Sequence, residues 1–189
     1  MEVVSDVECL KVVEHKARQF YRKQDRFHNE THGERVVAFA RLINQSEQGG
    51  HFLVEAGAWL HQFHDQLGEL RTLLMETGLP EAVRSQLYEI IRLCRPQLIS
   101  PDAPLEARIV FDADAMDLMG AQGVVRELSC NLLERKLPYE QAVQSTRDTQ
   151  LLFEKKLSTP AGQKMAARFT REARVFWNSY DRSIRMPKP

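Results

Sequence analysis

The sequence has few cysteines and no long apolar run. Cys9, Cys94 and Cys130 are widely spaced and form no Cys-x-x-Cys pair, so the sequence indicates neither a disulfide framework nor a thiolate zinc site. No apolar stretch approaches the roughly 18–20 residues that cross a bilayer. The start of the chain also lacks the charged region and apolar core of a signal peptide. We therefore expect a cytoplasmic protein with no membrane partner.

The chain also has no excess of one charge. Lysine and arginine number 26 and aspartate and glutamate also number 26, so the formal net charge is zero. This balance argues against nucleic acid polymers or anionic membranes as the main partner, although a local basic pocket for phosphate is compatible with it. With 189 residues, of which 43% are apolar and 28% charged, the composition is that of one globular domain.

Alternating strand patterns are absent, whereas apolar residues recur at helical spacing almost throughout. The pattern predicts an N-terminal amphipathic helix that ends near residue 24, and further helices that begin near residues 31, 52, 67, 81, 105, 138 and 160. The segment from Arg95 to Pro104 holds three prolines and is predicted to be the longest internal loop. The helix after Pro104 is predicted to run to about Lys136, with a kink near Gly120 and Gly123.

These elements predict an all-α fold, a single compact bundle of about seven or eight helices. The sequence has no internal repeat and no linker rich in glycine, proline or serine that would divide it into domains. We predict an N-terminal helix over residues 1–24 that packs on the core, followed by one helical domain over residues 25–185.

Histidines and aspartates cluster at the start of one predicted helix, at the end of the next and after the long loop. They are His28 and His32, then His61, His64 and Asp65, then Asp112, Asp114 and Asp117. Residues three or four apart share a helix face, so one helix end can offer two imidazoles and a carboxylate. With His32 and Asp112 from the other clusters, this set suits Mn²⁺, Fe²⁺, Zn²⁺ or Ni²⁺ better than Ca²⁺. Taken singly, each residue is also compatible with a capping or solvated role.

Three segments resemble the HD superfamily of metal-dependent phosphohydrolases, in particular its small bacterial hydrolases. They are residues 28–37 (HNETHGERVV), 56–65 (AGAWLHQFHD) and 112–121 (DADAMDLMGA). Residues 153–168 are similar too, so the resemblance covers about residues 25–180 and implies an HD-type metal-binding domain over residues 25–185. In this family a histidine, a His-Asp pair and a later aspartate bind a divalent metal ion. By this resemblance His32 matches the first ligand and Asp112 the last.

The resemblance leaves the middle ligand pair open. Spacing favours His61, but Gln62 then stands where the aspartate belongs. A literal His-Asp pair follows at His64 and Asp65, and a combination of His61 with Asp65 is a third alternative. The implied cofactor is a divalent metal ion, with Mn, Fe, Zn, Ni and Mg as candidates.

The implied function is a metal-dependent phosphohydrolase that acts on a small phosphorylated substrate, such as a nucleotide, by a metal-activated water. Asp65 is the candidate general base. The candidate substrate-binding residues are Arg35, Arg92, Arg95, Gln62 and His28.

Departures from the family pattern leave two other functions open. Gln62 replaces a carboxylate, Cys94 stands where relatives often carry a histidine, and Ala115 replaces an arginine. An HD-type di-iron oxygenase would use the additional histidines for a second metal. A degenerate HD domain would serve as a non-catalytic ligand-binding module. A homodimer is also possible, because helical periodicity does not reveal the surface patches that determine the oligomeric state.

Overall fold

The computed structural model describes residues 6–185, and every regular element in this range is helical. The predicted all-α fold is therefore confirmed. The elements are α1 (Asp6–Tyr21), α2 (Glu30–Glu47), α3 (His51–Leu60), a 3₁₀ helix (His61–Asp65), α4 (Leu67–Met75), α5 (Glu81–Leu93), α6 (Leu105–Leu118), α7 (Gly120–Leu133), α8 (Tyr139–Lys156) and α9 (Pro160–Ser183).

Two helix starts show how local sequence positions the elements. Asn29 has an extended backbone and its side chain accepts a hydrogen bond from the backbone N–H of His32, which fixes the first turn of α2. Thr159 caps α9 in the same way through the N–H of Gly162, and Pro160 occupies the first turn, where its missing N–H has no cost.

The single helix predicted after Pro104 is two helices in the structure, α6 and α7. Gly120 has a φ of +70°, a left-handed conformation that glycine adopts without strain. Gly123 lies against the end of α6, since a Cβ at this position would lie 2.2 Å from the carbonyl oxygen of Leu118. The chain therefore turns sharply instead of bending, and residues 6–185 contain nine α-helices rather than seven or eight.

The core lies between α2, α3 and α6, which pack against one another, while α1 and α5 pack on α3. Val13 and Ala17 of α1 are fully buried, so the N-terminal helix shares this core. A second layer is formed by α7, α8 and α9, with α9 also contacting α2 and α6. The proposed domain boundary at residue 24 stays a prediction, and residues 1–5 of the first segment lie outside the described residues. Among residues 6–185, no helix combines the length and the apolar character that crossing a membrane requires.

We expect the substitution Gly123→Ala to lower the free energy of unfolding by about 3 kcal/mol or more, because the new Cβ would overlap the backbone of Leu118 rather than a movable side chain. The matched control is Gly68→Ala in α4, where a new Cβ would meet no other atom within 4 Å. This control should be neutral or stabilising by up to about 1 kcal/mol. Urea denaturation of both variants checks the prediction, and equal stabilities would contradict it.

Candidate metal centre

Two buried histidines meet at the centre of the bundle. His32 lies in the first turn of α2, and His61 directly follows the last residue of α3. Their Nε2 atoms lie 3.0 Å apart. Asp114, on α6, has its Oδ1 atom 3.6 Å from Nε2 of His32 and 3.7 Å from Nε2 of His61. Three helices thus bring two imidazole nitrogens and one carboxylate oxygen together.

Hydrogen bonds on the far side of each ring set the tautomers. The Nδ1–H of His32 donates to Oδ2 of Asp117 at 2.8 Å, and that of His61 donates to the carbonyl oxygen of Ala58 at 2.7 Å. Each Nε2 atom therefore carries a lone pair, and the two lone pairs belong to atoms only 3.0 Å apart. Two such lone pairs repel each other unless a positive group, for example a cation, lies close to both.

The three ligand atoms form a triangle, here called the ligand triangle, whose size fits a divalent metal ion. Its sides measure 3.0, 3.6 and 3.7 Å, so a point equidistant from the three atoms lies about 2.0 Å from each. Bonds from Zn²⁺ to imidazole nitrogen and carboxylate oxygen have this length. Two imidazoles and one carboxylate are also ligands that transition metals prefer. The residues present therefore fit the metal that the resemblance implies.

Burial keeps both imidazoles neutral. It lowers the pKa of His61 to about 4, and the negative charge of Asp114 offsets only part of this effect. Burial likewise lowers the pKa of His32, although the hydrogen bond to Asp117 acts in the opposite direction. At neutral pH both Nε2 atoms are thus unprotonated, which metal binding requires.

Asp117 holds His32 in place from the side opposite the ligand triangle. Its fully buried carboxylate also accepts hydrogen bonds from Arg35, at 2.5 Å from Nε and 3.0 Å from Nη2. The Nε atom of Arg126 lies 3.3 Å from the same carboxylate. Burial alone would raise the pKa of Asp117, but these partners bring it below its usual value. A carboxylate bonded to the second nitrogen of a histidine commonly orients it for a metal.

Asp112, the aspartate expected as a ligand, lies away from the ligand triangle. Its carboxylate accepts from the backbone N–H groups of Ser158 and Thr159, at 3.2 and 2.8 Å, and from the Thr159 hydroxyl at 2.6 Å. Burial raises the pKa of Asp112 to about 6, and the bonds from Thr159 act against that shift. Asp112 therefore connects α6 to the start of α9, and Asp114 takes the position expected for it.

Helix geometry explains this exchange. Successive residues of an α-helix are rotated by about 100°, so side chains two positions apart, such as Asp112 and Asp114, point to nearly opposite sides. Asp117, three positions after Asp114, returns to the side that faces the histidines. Sequence reasoning missed this role of Asp114 and Asp117, and their spacing of three was the signal that could have identified them.

The segment after α3 also differs from the expectation. Because α3 ends at Leu60 and residues 61–65 form a 3₁₀ helix, the predicted α-helical face of His61, His64 and Asp65 does not form. His64 donates its Nδ1–H to the carbonyl oxygen of His61 at 2.8 Å, and its Nε2 lies 3.2 Å from Asp65. Asp65 is 66% exposed and pairs with Arg95. Of these residues, only His61 contributes to the ligand triangle.

A cavity of about 610 Å³ adjoins the ligand triangle, and Asp114 forms part of its wall. Five of the predicted site residues also line it, namely His28, Gln62, His64, Asp65 and Arg95. Two predicted substrate-binding residues do not. Arg35 lines a different cleft beyond Asp117, and Arg92 is paired with Glu89 on its own helix, α5.

A second group of possible ligand atoms belongs to Asp25, His28 and Cys130. In this group the His28 Nδ1 atom is already hydrogen-bonded to Asp25 at 2.8 Å. Burial raises the pKa of the Cys130 thiol, and the positive charge of Arg135 acts close to it. A thiol that resists ionisation beside an arginine is a poor cation ligand, so the ligand triangle is the better candidate.

For the metal-free protein, we expect the free energy of unfolding to decrease relative to that of His61→Gln as the pH falls from about 6.5 towards 4, since other titrating groups such as Asp112 are common to both proteins. His61 binds a proton with a pKa of 6.5 when unfolded but only near 4 when folded, so its stabilising contribution is complete above pH 6.5 and is lost as the pH falls. This difference between the two proteins is on the order of 3 kcal/mol. Urea titrations at several pH values measure it, with His61→Gln as the control that lacks this group. Identical pH slopes for the two proteins would contradict the assignment.

No protein-family model and no curated protein matches this chain. Solved structures do match it. The crystal structure of a Lactobacillus plantarum protein has a TM-score of 0.84 and 20% sequence identity, and the match covers 96% of this chain and 98% of that chain. The complex of Bacillus subtilis YpgQ with ADP has a TM-score of 0.80 at 18% identity, covering 96% and 97%.

A third match is an HD-superfamily hydrolase from Bacillus thuringiensis. Its TM-score is 0.74 at 19% identity, and the match covers 95% of this chain and 98% of that chain. Near-complete coverage in both directions means that the whole bundle is shared, rather than a few helices. The protein therefore has the HD-domain fold, the fold of HD-superfamily hydrolases.

Proposed function

We propose that the protein is a metal-dependent phosphohydrolase that acts on a small phosphorylated compound, such as a nucleotide. The observation that carries this proposal is the ligand triangle of His32, His61 and Asp114 beside a cavity of about 610 Å³. The HD-domain fold supports hydrolytic chemistry. The ADP complex of the Bacillus subtilis neighbour supports a small phosphorylated ligand.

In this proposal a divalent cation held by the ligand triangle would supply Lewis acidity towards a phosphoryl oxygen and a bound water. Hydrogen bonds within the chain determine the tautomers of the histidine ligands without a bound cation. Asp117 and the carbonyl oxygen of Ala58 hold the protons of both imidazoles on Nδ1, so both Nε2 atoms are available as ligands. Such preorganisation reduces the cost of assembling the site.

Asp65 is the candidate general base. It lines the cavity at the end of the 3₁₀ helix and contacts Nε2 of His64 at 3.2 Å. Its carboxylate is 66% exposed and is not a member of the ligand triangle, so it is available to accept a proton from an attacking water. His64 and the Arg95 guanidinium hold its position.

Arg95 is the candidate phosphate ligand. It lies on the loop after α5 and lines the cavity, where one of its terminal N–H groups pairs with Asp65. Its Nε atom is buried and has no hydrogen-bond partner within the described part of the chain. Arg126, also in the wall, donates to the carbonyl oxygen of Phe27 instead. Because that N–H is shielded from solvent, a phosphate oxygen would bind the terminal N–H groups of the guanidinium, whose side chain is 30% exposed.

We expect Asp114→Asn to weaken metal binding by at least about tenfold, because it removes the carboxylate of the ligand triangle. Asp112→Asn is the matched control on the same helix, and it should retain the metal of the wild type because its side chain contacts Ser158 and Thr159 instead. Metal content by mass spectrometry after dialysis against a panel of Mn, Fe, Zn, Ni and Mg salts is the measurement. Loss of metal in Asp112→Asn but not in Asp114→Asn would show that the ligand is misassigned.

We expect Arg95→Gln to reduce kcat/KM for nucleotides and other phosphate esters by about 10- to 100-fold, the loss of one charge-assisted hydrogen bond. Arg92→Gln is the control, because Arg92 is paired with Glu89 outside the cavity, and its activity should equal that of the wild type. Phosphate release from a panel of substrates measures both. If the protein binds metal but hydrolyses no phosphate ester, the proposed phosphohydrolase activity is refuted. If the metal bound in that case is iron, the result favours an oxygenase that oxidises its substrate.

A further inference from the structure

The amide of Gln62 contacts both imidazoles of the ligand triangle. Its Nε2 atom lies 3.1 Å from Nε2 of His32 and 3.1 Å from Nε2 of His61. An amide nitrogen has two N–H groups to donate. Because both imidazole nitrogens are acceptors, each ring can receive one of these two N–H groups. Gln62 thus bridges the two histidines.

This bridge supplies the positive group that the facing lone pairs require. The imidazole nitrogens are 3.0 Å apart in a buried region, where their repulsion is weakly screened. The partial positive charge of the amide hydrogens lies next to both of them. A cation that enters the ligand triangle has to displace this NH₂ group, either by moving the side chain or by turning its Oε1 oxygen towards the metal.

Gln62 also determines the charge of the ligand set. With a neutral amide at this position, Asp114 alone supplies negative charge to the ligand triangle, which has a formal charge of −1. Hard cations such as Mg²⁺ and Mn²⁺ depend on carboxylate and other oxygen ligands, whereas Zn²⁺ and Fe²⁺ bind imidazole well. The neutral Gln62 side chain therefore weakens the binding of Mg²⁺ and Mn²⁺ more than the binding of Zn²⁺ and Fe²⁺.

We propose that Gln62 determines which metal ion the protein holds: its amide closes the metal-free ligand triangle, and its neutrality selects imidazole-binding cations such as Zn²⁺ over Mn²⁺ and Mg²⁺. This inference rests on the metal centre of the proposed function. It concerns binding equilibria, so it can be tested without any measurement of activity.

The first experiment compares Zn²⁺ and Mn²⁺ dissociation constants, measured by competition with a chromophoric chelator, for the wild type and for Gln62→Asp. The new carboxylate should tighten Mn²⁺ binding by about tenfold or more and Zn²⁺ binding by less, so that the preference for Zn²⁺ decreases. Gln97→Asp is the matched control, since Gln97 is exposed and lines the same cavity from the loop after α5. It should leave the Zn²⁺ to Mn²⁺ ratio within about twofold of the wild type.

The second experiment tests the bridge itself with Gln62→Ala. Without the amide, the facing lone pairs lose their partner, so the metal-free protein should melt about 2–4 °C lower than the wild type. Saturating Zn²⁺ should then raise the melting temperature of Gln62→Ala by more than it raises that of the wild type, because no amide has to be displaced. If Gln62→Ala and the wild type melt at the same temperature without Zn²⁺, and again at the same temperature with saturating Zn²⁺, the bridging role is overturned.

The outcomes separate this inference from the proposed function. If the wild type binds Zn²⁺ and Gln62→Asp has the same Zn²⁺ to Mn²⁺ ratio, Gln62 does not determine selectivity, while the metal centre stands. If neither the wild type nor any variant binds Zn²⁺ or Mn²⁺, the metal centre is wrong and both proposals fail.

Discussion

Two unprotonated imidazole nitrogens that face each other at 3.0 Å impose the main constraint on this protein. His32 and His61 cannot relieve their repulsion by changing tautomer, because Asp117 and the carbonyl oxygen of Ala58 each hold the proton on the far nitrogen. Protonation does not relieve it at neutral pH, since burial lowers the pKa of both rings. A positive group must lie beside both nitrogens, and either the Gln62 amide or a metal ion can meet this requirement.

The helical bundle makes this arrangement stable because its groups are carried by packed helices. The three helices α2, α3 and α6 contact one another along the core, and each provides a corner of the ligand triangle, or directly precedes the residue that does. Asp117 would be a costly buried charge alone, but Arg35, Arg126 and His32 all contact its carboxylate. Removal of any one of these partners would leave part of that charge uncompensated, so the network is coupled to the stability of the core as well as to the site.

The fold and the site carry different information about function. The HD-domain fold is shared with solved structures at 18–20% identity, and a fold by itself does not determine a reaction. The chemistry depends on the particular groups around the cavity. Arg95 lines the cavity and pairs with Asp65, and Asp114 offers the carboxylate of the ligand triangle. The neutral Gln62 amide, which contacts both histidines, distinguishes this site from one with a second carboxylate.

Helix positions could be predicted from the sequence, because capping residues, prolines and apolar spacing act over a few neighbouring residues. The sequence also showed which residues are candidate metal ligands. It did not show which of these candidates come together. Whether Asp112 or Asp114 faces the histidines depends on how α6 packs against α2 and α3. Whether His61 or His64 joins them depends on the end of α3 at Leu60. The sequence alone thus determined where most of the helices begin and the set of groups that could bind a metal. The tertiary structure decided which of them meet, because the direction of a side chain depends on contacts with residues far away in the chain.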